Sequence, residues 1–421
     1  LALESALVLA GRESPATEID RWNNTVFALS IADRQVLWRF KSQAYVMYFM
    51  AAILEGDVLF QDLYGTAYCL QFDSGAKKWH SSVPARGRAV STGALAVGAP
   101  HNLAYSTSNM KEGTETRGML RALDIASGAE QWRVSFEFEA ASAPAVLPSS
   151  LDCGSIVVVG LGSSFSTPRS PDYTGRLVAL DGKKGARLWF LDVPPTPHQA
   201  DWLFPAWSSP AGSGDGTIYV GWHGGGILAI DGETGNMMSI FMTGSPVFGS
   251  PAIGDGLLVV ATGRHLLAFH SQSILERCAF TPSGDAILQF AQSGMKHYWS
   301  CKCGDAQKPS VCDFVVPTNI SKPSWSFEVP SRSRGDTTLS APLIDAQGNI
   351  YYKTRASNIY VLRRDGTQIG EFSAQVGSTD ATMALMGTSL YTVDYFAFAS
   401  CIDIEHGRVK WRTRYAISAH L

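Results

Sequence analysis

GRLVALDGKKGARLW, residues 175–189, is the stretch that decides the fold. It divides into two short strands, RLVALD and ARLW, around a Gly/Lys turn. The first alternates about Leu177 and Ala179, as a half-buried strand does. Asp181 can accept hydrogen bonds from the turn amides behind it, and Gly185 can take the left-handed conformation that closes the turn. Trp189 ends the unit with a large apolar surface and one N–H donor.

The unit recurs. Relative to Trp189 it has three slots: a small residue ten before, Asp eight before and Gly four before. Ala122, Asp124, Gly128 and Trp132 fill all of them, as do Cys401, Asp403, Gly407 and Trp411. Ala229, Asp231 and Gly235 match with Ser239 in place of Trp, and Cys69, Gly75 and Trp79 match with Asp73 shifted two places. Ala28 with Trp38 is a partial copy, and two weaker ones lie at Ala268 and Val361. Internal repeats of this kind mean a solenoid or a propeller. Trp38, Trp79, Trp132 and Trp189 are 41, 53 and 57 residues apart. Four strands of about five or six residues with their turns need roughly that length. No long segment shows the 3.6-residue periodicity of solenoid helices.

The pattern small-x-Asp-x-x-x-Gly-x-x-x-Trp resembles the tryptophan-docking repeat of the PQQ (pyrroloquinoline quinone) propellers, families that commonly have eight blades. Residues 208–236 and 249–269 resemble the inner strands of that repeat. The resemblance covers nearly the whole chain. It implies an all-β, eight-bladed β-propeller of four-stranded antiparallel blades, one domain over residues 1–421, closed by the two termini. Residues 416–421 would supply the innermost strand that blade one lacks. Such closure removes exposed sheet edges. The same repeat serves dehydrogenases, assembly factors and sensors, so the fold alone does not choose a function.

Composition bounds the rest. A 421-residue all-β domain suits a closed repeat ring, and forty Gly, eleven Trp and 17% charged residues suit tight turns and stacked sheets. A net charge of −3 gives no electrostatic case for nucleic acid or an anionic membrane. The longest apolar run, 44–54, is too short to span a bilayer and reads as a buried strand. The first residue is Leu, so the chain is taken for a fragment or processed product.

Residues 108–118 and 163–175 read as exposed excursions of blades three and four. Blade six is expected to end near Cys278. From 279 to 325 no slot is filled cleanly, and the stretch is expected to be an irregular Cys-containing insertion outside the ring. Cys278, Cys301, Cys303 and Cys312 cluster there, and disulfides are preferred to a metal as the means of ordering it. A zinc set of His297, Cys301, Cys303 and Cys312 is the alternative, although it lacks paired CxxC knuckles. Cys69 and Cys401 occupy the small-residue slot and read as buried packing residues.

The repeated Asp residues are turn caps in separate blades and not a catalytic set. Trp202, Trp207, His198 and Asp201 differ, because they fall outside the slots in the Pro-rich connection 194–210. Loops on a rigid scaffold are where binding concentrates, so these four are the candidate cofactor- or ligand-binding residues. Two function classes follow. One is a non-catalytic scaffold binding a protein or small molecule on the propeller face, with no resident cofactor. The other is a PQQ- and calcium-dependent alcohol or polyol dehydrogenase, which residues 162–195 resemble. The vicinal Cys–Cys pair of many such enzymes is missing, since Lys302 separates Cys301 and Cys303, and no calcium set can be matched. A propeller appendage of a larger acyl-activating enzyme is a third reading. The scaffold leads. Sequons at Asn23 and Asn319 tilt the expected location toward an extracytoplasmic one.

Overall fold

The structure, a computed structural model, describes residues 5–12, 24–162, 175–193, 207–271, 297–330, 340–372 and 381–416, apart from breaks of one to three residues. All of its regular structure is strand, arranged as eight antiparallel sheets that form the blades of one ring. Seven sheets have four strands, running from innermost to outermost in chain order; blade one has three among the described residues.

Strand burial follows position in the blade. The middle strands, such as Ser155–Leu161 and Leu257–Thr262, are buried along their whole length. They are rich in Val, Ile and Leu because neighbouring blades cover both of their faces. Outer strands alternate, as in Arg187–Asp192, where only Trp189 is buried.

That Trp joins one blade to the next. Trp189 Nε1 donates to Gly232 O at 2.8 Å, and the indole lies on Gly235 of blade five. A Cβ on Gly235 would stand 2.6 Å from the ring, and its φ of +75° is a left-handed value. The same contact repeats: Trp38 on Gly75, Trp79 on Gly128, Trp132 on Gly185 and Trp325 on Gly366. Each indole N–H reaches a carbonyl in the next blade, at Phe72, Ile125, Gly182 and Arg364. The slot Asp residues cap the turns as expected: Asp181 Oδ1 accepts from the amides of Lys183 and Lys184, and Asp231 Oδ1 from those of Glu233 and Thr234.

Several blades depart from the repeat, blade five among them with Ser239 in its Trp slot. In blade one the Gly slot holds Arg34, still at a φ of 64°. Blade seven lacks the Trp, and Phe372 stands against Gly407 of blade eight instead. Blade six does not end near Cys278. Its outer strand is Trp325–Glu328, with Trp325 in register with Ala268.

Other expectations change too. The excursion at 108–118 is a continuation of two paired strands, Leu103–Glu112 and Glu115–Asp124. Among the described residues of the apolar run 44–54, only Ala52–Leu54 is strand. Where the chain leaves blade eight, Tyr415 Oη donates to Ala10 O at 2.9 Å and Ala416 lies against Gly11 of blade one. Residues 417–421, expected to continue into a closing strand, lie outside the described residues.

Candidate functional site: the channel and the connection end

Each blade is a four-strand meander, which gives the ring two unlike ends. First-to-second and third-to-outer turns share one end, here called the turn end. Second-to-third turns and the connections between blades share the other, the connection end. The innermost strands lie nearest the axis and are rich in small residues, among them Ala52, Ala145, Ala211, Gly212 and Ala384.

An axis lined this way leaves a void, and the chain fills it itself. Residues 297–324 leave blade six between its third and outer strands, from the turn end. Trp299 bridges Ile344 of blade seven, Ser300 O accepts from Leu385 N, and Cys301 bridges Ala384 of blade eight. The segment turns at Cys301–Gly304, where Cys303, wholly buried, packs with Met50, Ala94 and Ala143. Those three residues precede the innermost strands of blades two, three and four, so the turn reaches toward the connection end. The return leg follows blades four and five: Val146 N donates to Pro309 O, Gly212 N to Ser310 O and Gly214 N to Phe314 O. It then leaves between blades five and six, past Tyr219 Oη and Ser239 Oγ. Trp299, Val316 and Ile320 are almost wholly buried on the way. The described part therefore does not stand outside the ring. It plugs the channel.

The plug explains the missing Trp of blade five. Ser239 Oγ donates to Thr318 O at 2.5 Å and accepts from Ile320 N at 3.0 Å. The crossing backbone occupies the flank where other blades place an indole.

The expected disulfides are not present: no disulfide joins any two of the described cysteines. Cys301 Sγ turns onto the carbonyls of Asp305 and Gly304, at 3.0 and 3.6 Å. Apolar burial and main-chain hydrogen bonds to the inner strands order the segment in their place. His297, Cys301, Cys303 and Cys312 are not drawn together as zinc ligands. Both His297 ring nitrogens are engaged, Nε2 with Gly387 O and Nδ1 with Ala346 N. Burial lowers the pKa of His297 and keeps the ring neutral. Among the described residues the one close group of possible donors is Asp403, Glu405 and His406, on the surface turn of blade eight.

Of the four candidate binding residues, His198, Asp201 and Trp202 lie outside the described residues. Trp207 is 1% exposed, bridges Trp222 and donates from Nε1 to Leu161 O. It cements blade four to blade five, and the buried indole is no open floor for a ring.

The connection end carries the buried polar residues that the repeat pattern did not single out. Gln61 bonds Thr107 O and Ser106 Oγ across blades two and three. Arg121, 1% exposed, donates to Gly65 O at 2.5 Å, and burial brings its pKa down to about 10 despite nearby Glu130. Lys353 Nζ reaches Thr392 Oγ1 at 2.8 Å. The buried carboxylates serve their own turns: at this end Asp62 accepts from Tyr64, Thr66 and Tyr68, and at the turn end Asp345 from Gln347, Asn349 and Tyr351. An anionic quinone with its divalent cation needs converging carboxylates beside an open aromatic face. At the turn of the plug, Cys303 packs with Met50, Ala94 and Ala143 and no carboxylate is among these neighbours.

Comparison with known proteins agrees with this architecture. The family model described as outer membrane protein assembly factor BamB matches residues 22–203 and 173–275. Among solved structures, BamB from Moraxella catarrhalis is similar at 13% identity, with a TM-score of 0.54 over 92% of this chain and 91% of that one. The computationally designed Ika8 protein is similar at 11% identity, with a TM-score of 0.50 over 89% and 90%. A europium-containing methanol dehydrogenase aligns at 10% identity, with a TM-score of 0.47 over 99% of this chain and 77% of that one. No curated protein matches.

Proposed function

Because the chain belongs to the PQQ-like propeller family described as outer membrane protein assembly factor BamB, we propose that it is a non-catalytic scaffold. It binds a protein or small-molecule ligand on its propeller face, at the connection end, and holds no resident quinone. The observation that carries this reading is the plug: Cys303 is wholly buried among Met50, Ala94 and Ala143 on the channel axis. A ring whose axis is filled by its own chain has its outer faces left for recognition, where rigid scaffolds present binding loops. The family's description as an assembly factor favours a protein as the ligand and an extracytoplasmic setting. No helix among the described residues is long and apolar enough to cross a membrane.

The competing dehydrogenase is tested by titrating PQQ with calcium and following the fluorescence of the eleven Trp. The scaffold gives no saturable quenching in the micromolar range. Saturable quenching, with reduction of an electron-accepting dye on adding an alcohol, would overturn the proposal.

A further inference from the structure

The outer strand of each blade is an edge. It pairs with the third strand, and no strand lies on its other side among the described residues. Such an edge presents main-chain donors and acceptors to any passing strand, and proteins guard it with charged side chains. Seven outer strands carry the guard: VLWRFK, KKWHS, EQWRVS, RLWFLD, WSFE, QIGEF and RVKWRTR each hold at least one charge. Blade five does not. Its outer strand Met237–Met242 reads MMSIFM. Met237, Met238, Ile240 and Met242 are 51, 48, 37 and 55% exposed. Ile240 and Met242 are adjacent, since a Cβ on Gly226 would stand 3.5 Å from each. The crossing segment meets this strand through the Ser239 hydroxyl and does not pair with it as a strand.

We propose that the outer edge of blade five is a strand-addition site for an extended, uncharged segment of a partner protein. This deepens the scaffold reading and rests on it. The size of the patch selects the occupant. Four partly exposed side chains offer a few hundred Å² of apolar surface, whereas a stable dimer buries about 1,200–2,000 Å². A second rigid ring meeting this edge would fall short of that. An extended segment can follow the twist of the strand and gain main-chain hydrogen bonds along its length. With no charge on MMSIFM to set against one on the partner, a charged segment would lose solvation for nothing. Methionine side chains adapt to varied neighbours, so the site reads extension and apolarity more than one sequence.

The probe is a fluorescent, end-capped peptide of about eight alternating Val and Thr residues, a typical strand length. Its control is the same peptide N-methylated at alternate amides along one edge. Full-length protein should raise the anisotropy of the first peptide saturably and bind the methylated one about tenfold more weakly or worse. Ile240→Lys and Met242→Lys should each weaken binding by about tenfold, because an edge lysine opposes pairing. Leu188→Lys, on the outer strand of blade four, should leave it unchanged. These positions are all more than a third exposed, so the variants keep the fold, and matching thermal unfolding curves check that. No saturable binding, equal binding of the methylated peptide, or indifference to both blade-five lysines would overturn the proposal. So would sedimentation showing a wild-type dimer that Met242→Lys dissolves, which would put a second copy on this edge. The PQQ titration is independent of every arm, so failure here leaves the scaffold reading standing on its own test.

Discussion

Trp325 stands in register with Ala268, although residues 269–324 intervene between them in the chain. Its indole still lies on Gly366 of blade seven and donates to Arg364 O at 2.8 Å. In six of the eight blades the rule is thus spatial: an aromatic side chain on the outer strand closes over the glycine turn of the next blade. Trp189 is a buried case of it, at 8% exposure. Trp189→Ala should cost about 3–5 kcal/mol in denaturant unfolding, because it opens a cavity between blades four and five. A loss below about 1 kcal/mol would contradict the docking role.

Arg34 occupies the Gly slot of blade one with a φ of 64°. A left-handed L-residue costs roughly 1–2 kcal/mol, and glycine's greater freedom when unfolded returns part of that. Arg34→Gly should therefore raise stability by about 0.5–1 kcal/mol. An unchanged or lower unfolding midpoint would mean that the Arg34 side chain contributes more than its backbone costs.

Acid should weaken the protein through the buried His297 and the half-buried His270. Burial lowers the pKa of His297, with the Gly387 carbonyl and Asp345 opposing it less, and burial lowers that of His270, with Arg364 adding to the shift. The folded values lie below the unfolded one of about 6.5, so the unfolded chain takes up protons first as pH falls. Stability is held above pH ~6.5 and lost as pH falls toward the folded values. His297→Gln should flatten part of the decline measured between about pH 7.5 and 5.5. An unaltered slope would count against a neutral His297 in the fold.

The repeat was legible because its parts are local. Asp181, Gly185 and Trp189 fall within one hairpin, so their spacing survives in the sequence, and eight blades could be counted from it. The plug was not legible. Its partners, Ile344, Ala384, Val146 and Gly212, belong to blades seven, eight, four and five, and no local pattern announces contacts that distant. The signals that could have found it were indirect: Ser239 in a Trp slot, and Trp325 as an unplaced Trp followed by a short strand. The cysteines misled because a cluster of thiols in an irregular stretch suggests crosslinking. Here a buried Cys303 fills space among Met50, Ala94 and Ala143 as a small apolar residue would. The exposed apolar edge of blade five was hidden for the opposite reason. MMSIFM looks like core until the sheet order shows which side has no neighbour.

The filled channel is tested most directly by thiol labelling of a variant that retains Cys303 alone, the other six cysteines being replaced by Ala or Ser. With 297–305 seated on the axis, the 0%-exposed Cys303 should react with a small maleimide no faster than the protein unfolds. The rate should then rise with denaturant in step with global unfolding. Labelling of the native protein at the rate of an exposed thiol, insensitive to denaturant, would show the segment outside the channel and the axis open.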